Sequence, residues 1–138
     1  MKKVFLDTNV LIDVLERREP FVTESANVVA LGAYGMVQLY TSVLSLANCL
    51  YITRRTLGKA DALPAIRMLR EYVGVSPMGE QEFDLAFASD VADNEDLLQY
   101  YSAVSEGCEV LVTRNEKHFP KDGTLSVMSP EAFLKSLS

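Results

Sequence analysis

The spacing of apolar residues changes along this chain, and the changes divide it into strands and helices. Val4-Phe5-Leu6 is an unbroken apolar run, which predicts a buried, central first strand over residues 3–6. Val10, Leu11, Val14 and Leu15 then recur at helical spacing, predicting a short helix over 9–16 with Asn9 as candidate N-cap. A second helix is expected from Pro20 in its first turn, through Ala26, Val29 and Ala30, to a stop at Gly35. Residues 37–41 alternate and predict strand two. Residues 44–57 predict a helix stopped by Gly58, and 60–72 another, in which Pro64 must sit in the first turn or cause a kink. Gly74 punctuates the chain before a short extended piece over 75–77. Helices are expected over 80–89 and 93–106, the second closed by Gly107. A strong strand follows over 109–113, then a weaker one over 125–128 and a last helix from Pro130 to Leu137.

Strands alternating with helices predict an α/β fold: a three-layer α/β/α sandwich around a central, mostly parallel sheet. A single domain over residues 1–138 is expected at this length. Residues 25–53 carry no formal charge, enough to span a bilayer, but Gly32, Gly35, Gln38, Thr41, Ser42, Ser45 and Asn48 interrupt the run. An interior segment is therefore expected rather than a membrane span. No signal peptide is evident. Cys49 and Cys108 have no metal-like spacing and read as reduced core thiols, so the expected location is cytoplasmic.

The first strand runs directly into Asp7-Thr8-Asn9. A carboxylate there stands at the carboxyl rim of a sheet, where open α/β folds bind ligands; the plainer reading is a helix cap. The same edge should gather residues 7, 93–96 and 113–115. Asp7 and Asp96 would then be two carboxylates from distant segments, the minimum for a hard divalent ion such as Mg²⁺ or Mn²⁺. Asp93-Asn94-Glu95-Asp96 also reads as an acidic helix N-terminus, and both roles can hold together. Thr8, Asn9 and Thr113 are candidates to orient ligands or water, with turn and cap chemistry as the alternative. The single histidine, His118, has no evident serine or cysteine partner and reads as a surface turn residue. A phosphatase of the haloacid-dehalogenase type would want a second Asp two residues after Asp7, where this chain has Asn9.

The segments Val4-Phe5-Leu6-Asp7-Thr8-Asn9-Val10-Leu11-Ile12-Asp13, Asn94-Glu95-Asp96-Leu97-Leu98 through Ala103, and Val110-Leu111-Val112-Thr113-Arg114-Asn115-Glu116-Lys117-His118-Phe119 stand in the order found in PIN domains. The chain resembles that family of metal-dependent nucleases over nearly its whole length. The closing Ser129-Pro130-Glu131-Ala132-Phe133-Leu134 is similar to the tail of a bacterial branch, the VapC-like ribonuclease toxins. The resemblance implies a PIN-like fold, Mg²⁺ or Mn²⁺ on Asp7 and Asp96, hydrolysis of RNA phosphodiesters, and an antitoxin protein and a second copy of the chain as partners. Asp93 and Glu95 are then secondary. Two usual acids are replaced by amides, Asn48 on the helix after strand two and Asn115 after Thr113. An amide gives a metal a carbonyl oxygen but no charge. A catalytically weakened PIN-fold module that binds RNA or protein therefore stays open as the second reading.

The formal net charge of −6 argues against non-specific nucleic-acid binding, so RNA needs a local basic rim. Arg17-Arg18 and Arg54-Arg55 follow helices expected to start near Asp7 and should lie toward the opposite edge. Arg114, Lys117 and Lys121, beside the last motif, are the expected contacts, with Arg67 and Arg70 further out.

Overall fold

In the computed structural model, which describes residues 1–88, 94–121 and 123–138, the elements run β1 (Lys3–Leu6), α1 (Thr8–Leu15), α2 (Val22–Ala33), β2 (Gln38–Ser42), α3 (Val43–Leu57), α4 (Lys59–Arg70), β3 (Val73–Ser76), α5 (Glu80–Ala86), α6 (Asn94–Glu106), β4 (Val110–Val112), β5 (Ser126–Met128) and α7 (Pro130–Ser136). The strands form one sheet in the order β3-β2-β1-β4-β5, every pairing parallel. β1 is central, as its unbroken apolar run predicts.

The period-two geometry of a strand sorts β1 between two cores. Val4 and Leu6 enter a cluster with Val10 and Leu11 of α1, Val28 of α2, Cys49 of α3, Ile66 of α4 and Phe133 of α7. Phe5 enters the other, with Tyr100 and Ala103 of α6, Leu111 and Phe119. α5 packs on α6, so helices cover both faces and the sandwich has three layers.

Parallel strands put all their carboxyl ends on one edge. Four of them end in, or run directly into, a buried polar residue: Asp7, Ser42, Ser76 and Thr113. The chain adds β2 and β3 on one side of β1, then returns to lay β4 on the other, so the strand order reverses between β1 and β4. Leu6 pairs with Val112, which sets Asp7 and Thr113 side by side at that switch point.

Local chemistry moves some boundaries. The α1 N-cap is Asp7, not Asn9: its Oδ1 accepts from the Thr8 backbone N–H at 2.8 Å. Pro20 lies ahead of α2, whose N-cap is Phe21, while Gly35 closes that helix at φ +75° as expected. Pro64 sits inside α4 rather than in its first turn. Gly74 is part of β3, because the Tyr40 ring lies where its side chain would be: an added Cβ would stand 2.9 Å from Tyr40 Cε1. Helix α5 ends at Ala86, and residues 89 and 93, where the sequence placed helix boundaries, lie outside the described residues. No helix among the described residues is long and apolar enough to cross a membrane.

Candidate active site

The switch point opens into a cleft of about 270 Å³ lined by Asp7, Thr8, Asn9, Ile12, Arg18, Asn48, Ile52, Glu95, Asp96 and Gln99. Asp7 forms its floor and is 5% exposed. Two donors fix its carboxylate, the Thr8 N–H on Oδ1 and the Thr113 hydroxyl on Oδ2, each at 2.8 Å. Each oxygen keeps a lone pair free of these bonds. Burial pushes the Asp7 carboxyl above its ordinary value. The Thr113 and Thr8 bonds pull it down, the Glu95 charge raises it again and Arg114 lowers it.

Thr113 is the hub of this corner. While its hydroxyl donates to Asp7, it accepts from the Asn115 backbone N–H at 3.0 Å and from Asn9 Nδ2 at 3.4 Å. The Asn9 carbonyl oxygen in turn accepts from the Arg114 backbone N–H at 3.3 Å. Thr8 Oγ1 donates to Ser45 Oγ at 2.8 Å, and Ser42 joins Ser45 to Gln99 of α6. A buried chain of hydroxyls thus ties α1, α3 and α6 together beneath the cleft.

The opposite wall comes from the first turn of α6. Glu95 and Asp96 both line the cleft, and Asn48 Nδ2 donates to Glu95 Oε1 at 3.3 Å. His118 Nδ1 stands 3.3 Å from Asp96 Oδ2. Asp93 lies outside the described residues. Asn115 is exposed, is absent from the cleft lining, and meets the site through its backbone N–H. Lys117 and Lys121 are exposed next to it.

Arg114 differs from its expected place on an open rim. Its guanidinium grips Asp13 with two bonds, Nε to Oδ2 at 2.7 Å and Nη2 to Oδ1 at 3.0 Å, and lies over the Phe21 ring at 3.9 Å. Asp13 is fully buried, so a cation within reach neutralises it. Arg18, expected at the far edge, instead lines the cleft.

Sequence reasoning passed over Gln99, quoted Asp13 only as the end of the first motif, took His118 for a surface turn residue and sent Arg18 to the far edge. Gln99 had a signal: it stands three residues after Asp96, on the same helical face. His118 had a weaker one, its place in the segment that follows β4.

The sequence profile of the PIN domain family matches residues 3–117, through β4 and the turn that follows it. The chain belongs to the PIN domain family. It is 26% identical over 137 residues to Ribonuclease VapC1 of Aquifex aeolicus (strain VF5), covering 96% of this chain and 93% of that protein. Its fold is similar to a chain in the crystal structure of VapBC2 from Rickettsia felis bound to a DNA fragment from their promoter. There the TM-score is 0.63 at 17% identity, with 91% of this chain and 96% of that one covered. The PIN segment contains both walls of the cleft.

Among the described residues, no group of three or more His, Cys, Asp or Glu side chains is placed to hold a metal ion. The cleft offers carboxylates and amides, all of them hard oxygen donors. That set fits Mg²⁺ or Mn²⁺, since Mg²⁺ takes one or two carboxylates and keeps several waters. The residue at position 48 should set how tightly. Asn48→Glu places a fourth carboxylate in the cleft, beside Glu95, so divalent affinity measured by calorimetry is expected to rise by about ten-fold, one added charge pair at a partly solvated distance. No gain would show that the Asn48 side chain does not serve the cleft.

Proposed function

We propose that this PIN domain is a divalent-metal-dependent endoribonuclease and the toxin of a toxin–antitoxin pair, with an antitoxin protein as its partner. One observation carries the chemistry: a buried, ionisable Asp7 faces Glu95 and Asp96 across one cleft at the sheet's switch point. The similarity to Ribonuclease VapC1 along nearly the whole chain supports RNA as the substrate and the toxin role. A cytoplasmic location agrees with an RNA substrate and with free, buried Cys49 and Cys108, whose thiols burial pushes up to about 12.

In this reading Asp7 and Asp96 hold the ion, with Glu95 and the Asn48 amide beside them. A bound divalent ion lowers the pKa of a water and stabilises charge on the leaving oxygen. The chain supplies the geometry. Thr113 and the Thr8 N–H hold Asp7 in one orientation, and His118 steadies Asp96. The nucleophile in hydrolysis is water, so the protein need supply none, and the described residues lining the cleft include no serine or cysteine.

The second reading, a PIN-fold module that binds RNA or protein without cutting, is favoured by the amide of Asn48 in the cleft lining. Incubating single-stranded RNA with purified protein in Mg²⁺ or Mn²⁺, against a chelator control, separates the two. Cleavage that the chelator stops supports the nuclease; binding with no cleavage in either metal supports the module.

A further inference from the structure

The described residues lining the cleft include three carboxylates and one cation, Arg18. Its route there is unusual. Helix α1 ends at Leu15, and Arg17 follows at φ +51°, a left-handed conformation in the position where helices usually place glycine. The turn closes with the Arg18 N–H on the Asp13 carbonyl at 3.0 Å, and brings the Arg18 side chain back along α1 to the cleft, where Ile12 also lies. A strained non-glycine turn beside a candidate site is the kind of feature that function retains.

Among the described residues, two arginine–carboxylate pairs can be compared directly. Arg114 and Asp13 form a two-oxygen fork in the interior, the arrangement of a structural pair. Arg18 and Glu16 do not. Both Arg18 Nε and Nη2 crowd on one oxygen, Glu16 Oε1, at 3.1 and 3.0 Å, while Glu16 Oε2 is buried with no hydrogen-bond partner. The Arg18 side chain is 45% exposed and that of Glu16 only 7%. The pair is half made, and its exposed member is the one that lines the cleft.

We propose that Arg18 is a phosphate contact for the RNA strand. Its guanidinium turns from Glu16 to a backbone phosphate beside the scissile bond, and Glu16 parks it when the cleft is empty. A guanidinium fork matches two phosphate oxygens, as one carboxylate oxygen does not. The contact also offsets the repulsion that Asp7, Glu95 and Asp96 exert on an approaching strand. This assignment rests on the ribonuclease reading.

Removing Arg18 alone would strand the buried Glu16 charge, so the comparison is made in the Glu16→Gln background. The probe is a fluorescein-labelled single-stranded RNA of mixed sequence, bound in Ca²⁺ to suppress cleavage, over a range of salt. Glu16→Gln is expected to bind at least as tightly as wild type. Glu16→Gln/Arg18→Gln is expected to bind about ten-fold more weakly, the worth of one charge-assisted contact, with a salt slope smaller by about one. Its Mn²⁺ affinity should not fall, since the change takes a cation out of the cleft. Equal RNA affinity and slope in the two variants would overturn the proposal while leaving the nuclease reading standing. Failure of wild type to bind RNA at all would overturn both.

Discussion

Replacing Arg114 by Gln should destabilise this protein by about 3–5 kcal/mol, the usual cost of orphaning one member of a buried ion pair. The asymmetry of the pair decides which partner matters. The Asp13 side chain is fully buried, whereas that of Arg114 is 23% exposed. Without Arg114, Asp13 keeps among the described residues only the Ser25 hydroxyl, which donates to Oδ2 at 3.2 Å, and its side chain is shut off from water. Phe21 also loses the guanidinium stacked on it. Asp13→Asn should cost less, since Arg114 can turn part of its charge to solvent. Urea unfolding of the two variants and wild type provides the measurement. Equal midpoints for wild type and Arg114→Gln would mean that the pair contributes no stability and would restore Arg114 as a free rim cation.

Asp7→Asn should abolish divalent-dependent cleavage and at the same time raise the thermal stability of the metal-free protein at neutral pH. Burial holds the Asp7 carboxyl above its ordinary value of 3.8, so the folded protein keeps this proton to a higher pH than the unfolded chain does. The contribution of Asp7 to stability is therefore fully present below about pH 3.9 and is lost as pH rises through the folded value. At pH 7 the ionised carboxylate costs stability, which a neutral amide of the same shape relieves. Asn is also as good an N-cap for α1 as Asp. The melting-temperature advantage of Asp7→Asn should shrink toward acid pH, where the wild-type group is protonated in both states. Saturating Mn²⁺ should stabilise wild type and not the variant. A variant less stable than wild type at pH 7 would show that the Thr113 and Thr8 bonds outweigh the burial of the charge.

Much of the site was legible because its placement follows from topology. An apolar run ending in Asp7 marks a central strand, and alternation of strands with helices implies parallel carboxyl ends. Those two facts bring residue 7, the start of α6 and the turn after β4 to one edge. The details that pattern cannot carry are tertiary. Whether Arg114 faces solvent or Asp13 depends on where α2 sets Phe21 and Ser25, which no local spacing encodes. Arg18 was assigned to the wrong edge because helix direction was legible and the left-handed turn at Arg17 was not. Gly74 looked like punctuation because its reason, the Tyr40 ring, lies on another strand. At Asn115 the side chain drew attention, while the structure uses the backbone.

The central claim is that Asp7 and Asp96, from distant segments of the sequence, serve one divalent ion. Calorimetric titration of Mn²⁺ into wild type, Asp7→Asn and Asp96→Asn, with circular dichroism to confirm folding, tests it most directly. One site in wild type, lost or weakened by at least about a hundred-fold in each folded variant, is the expected result, the cost of neutralising one of two carboxylate ligands. Mn²⁺ binding that survives either substitution unchanged would contradict it.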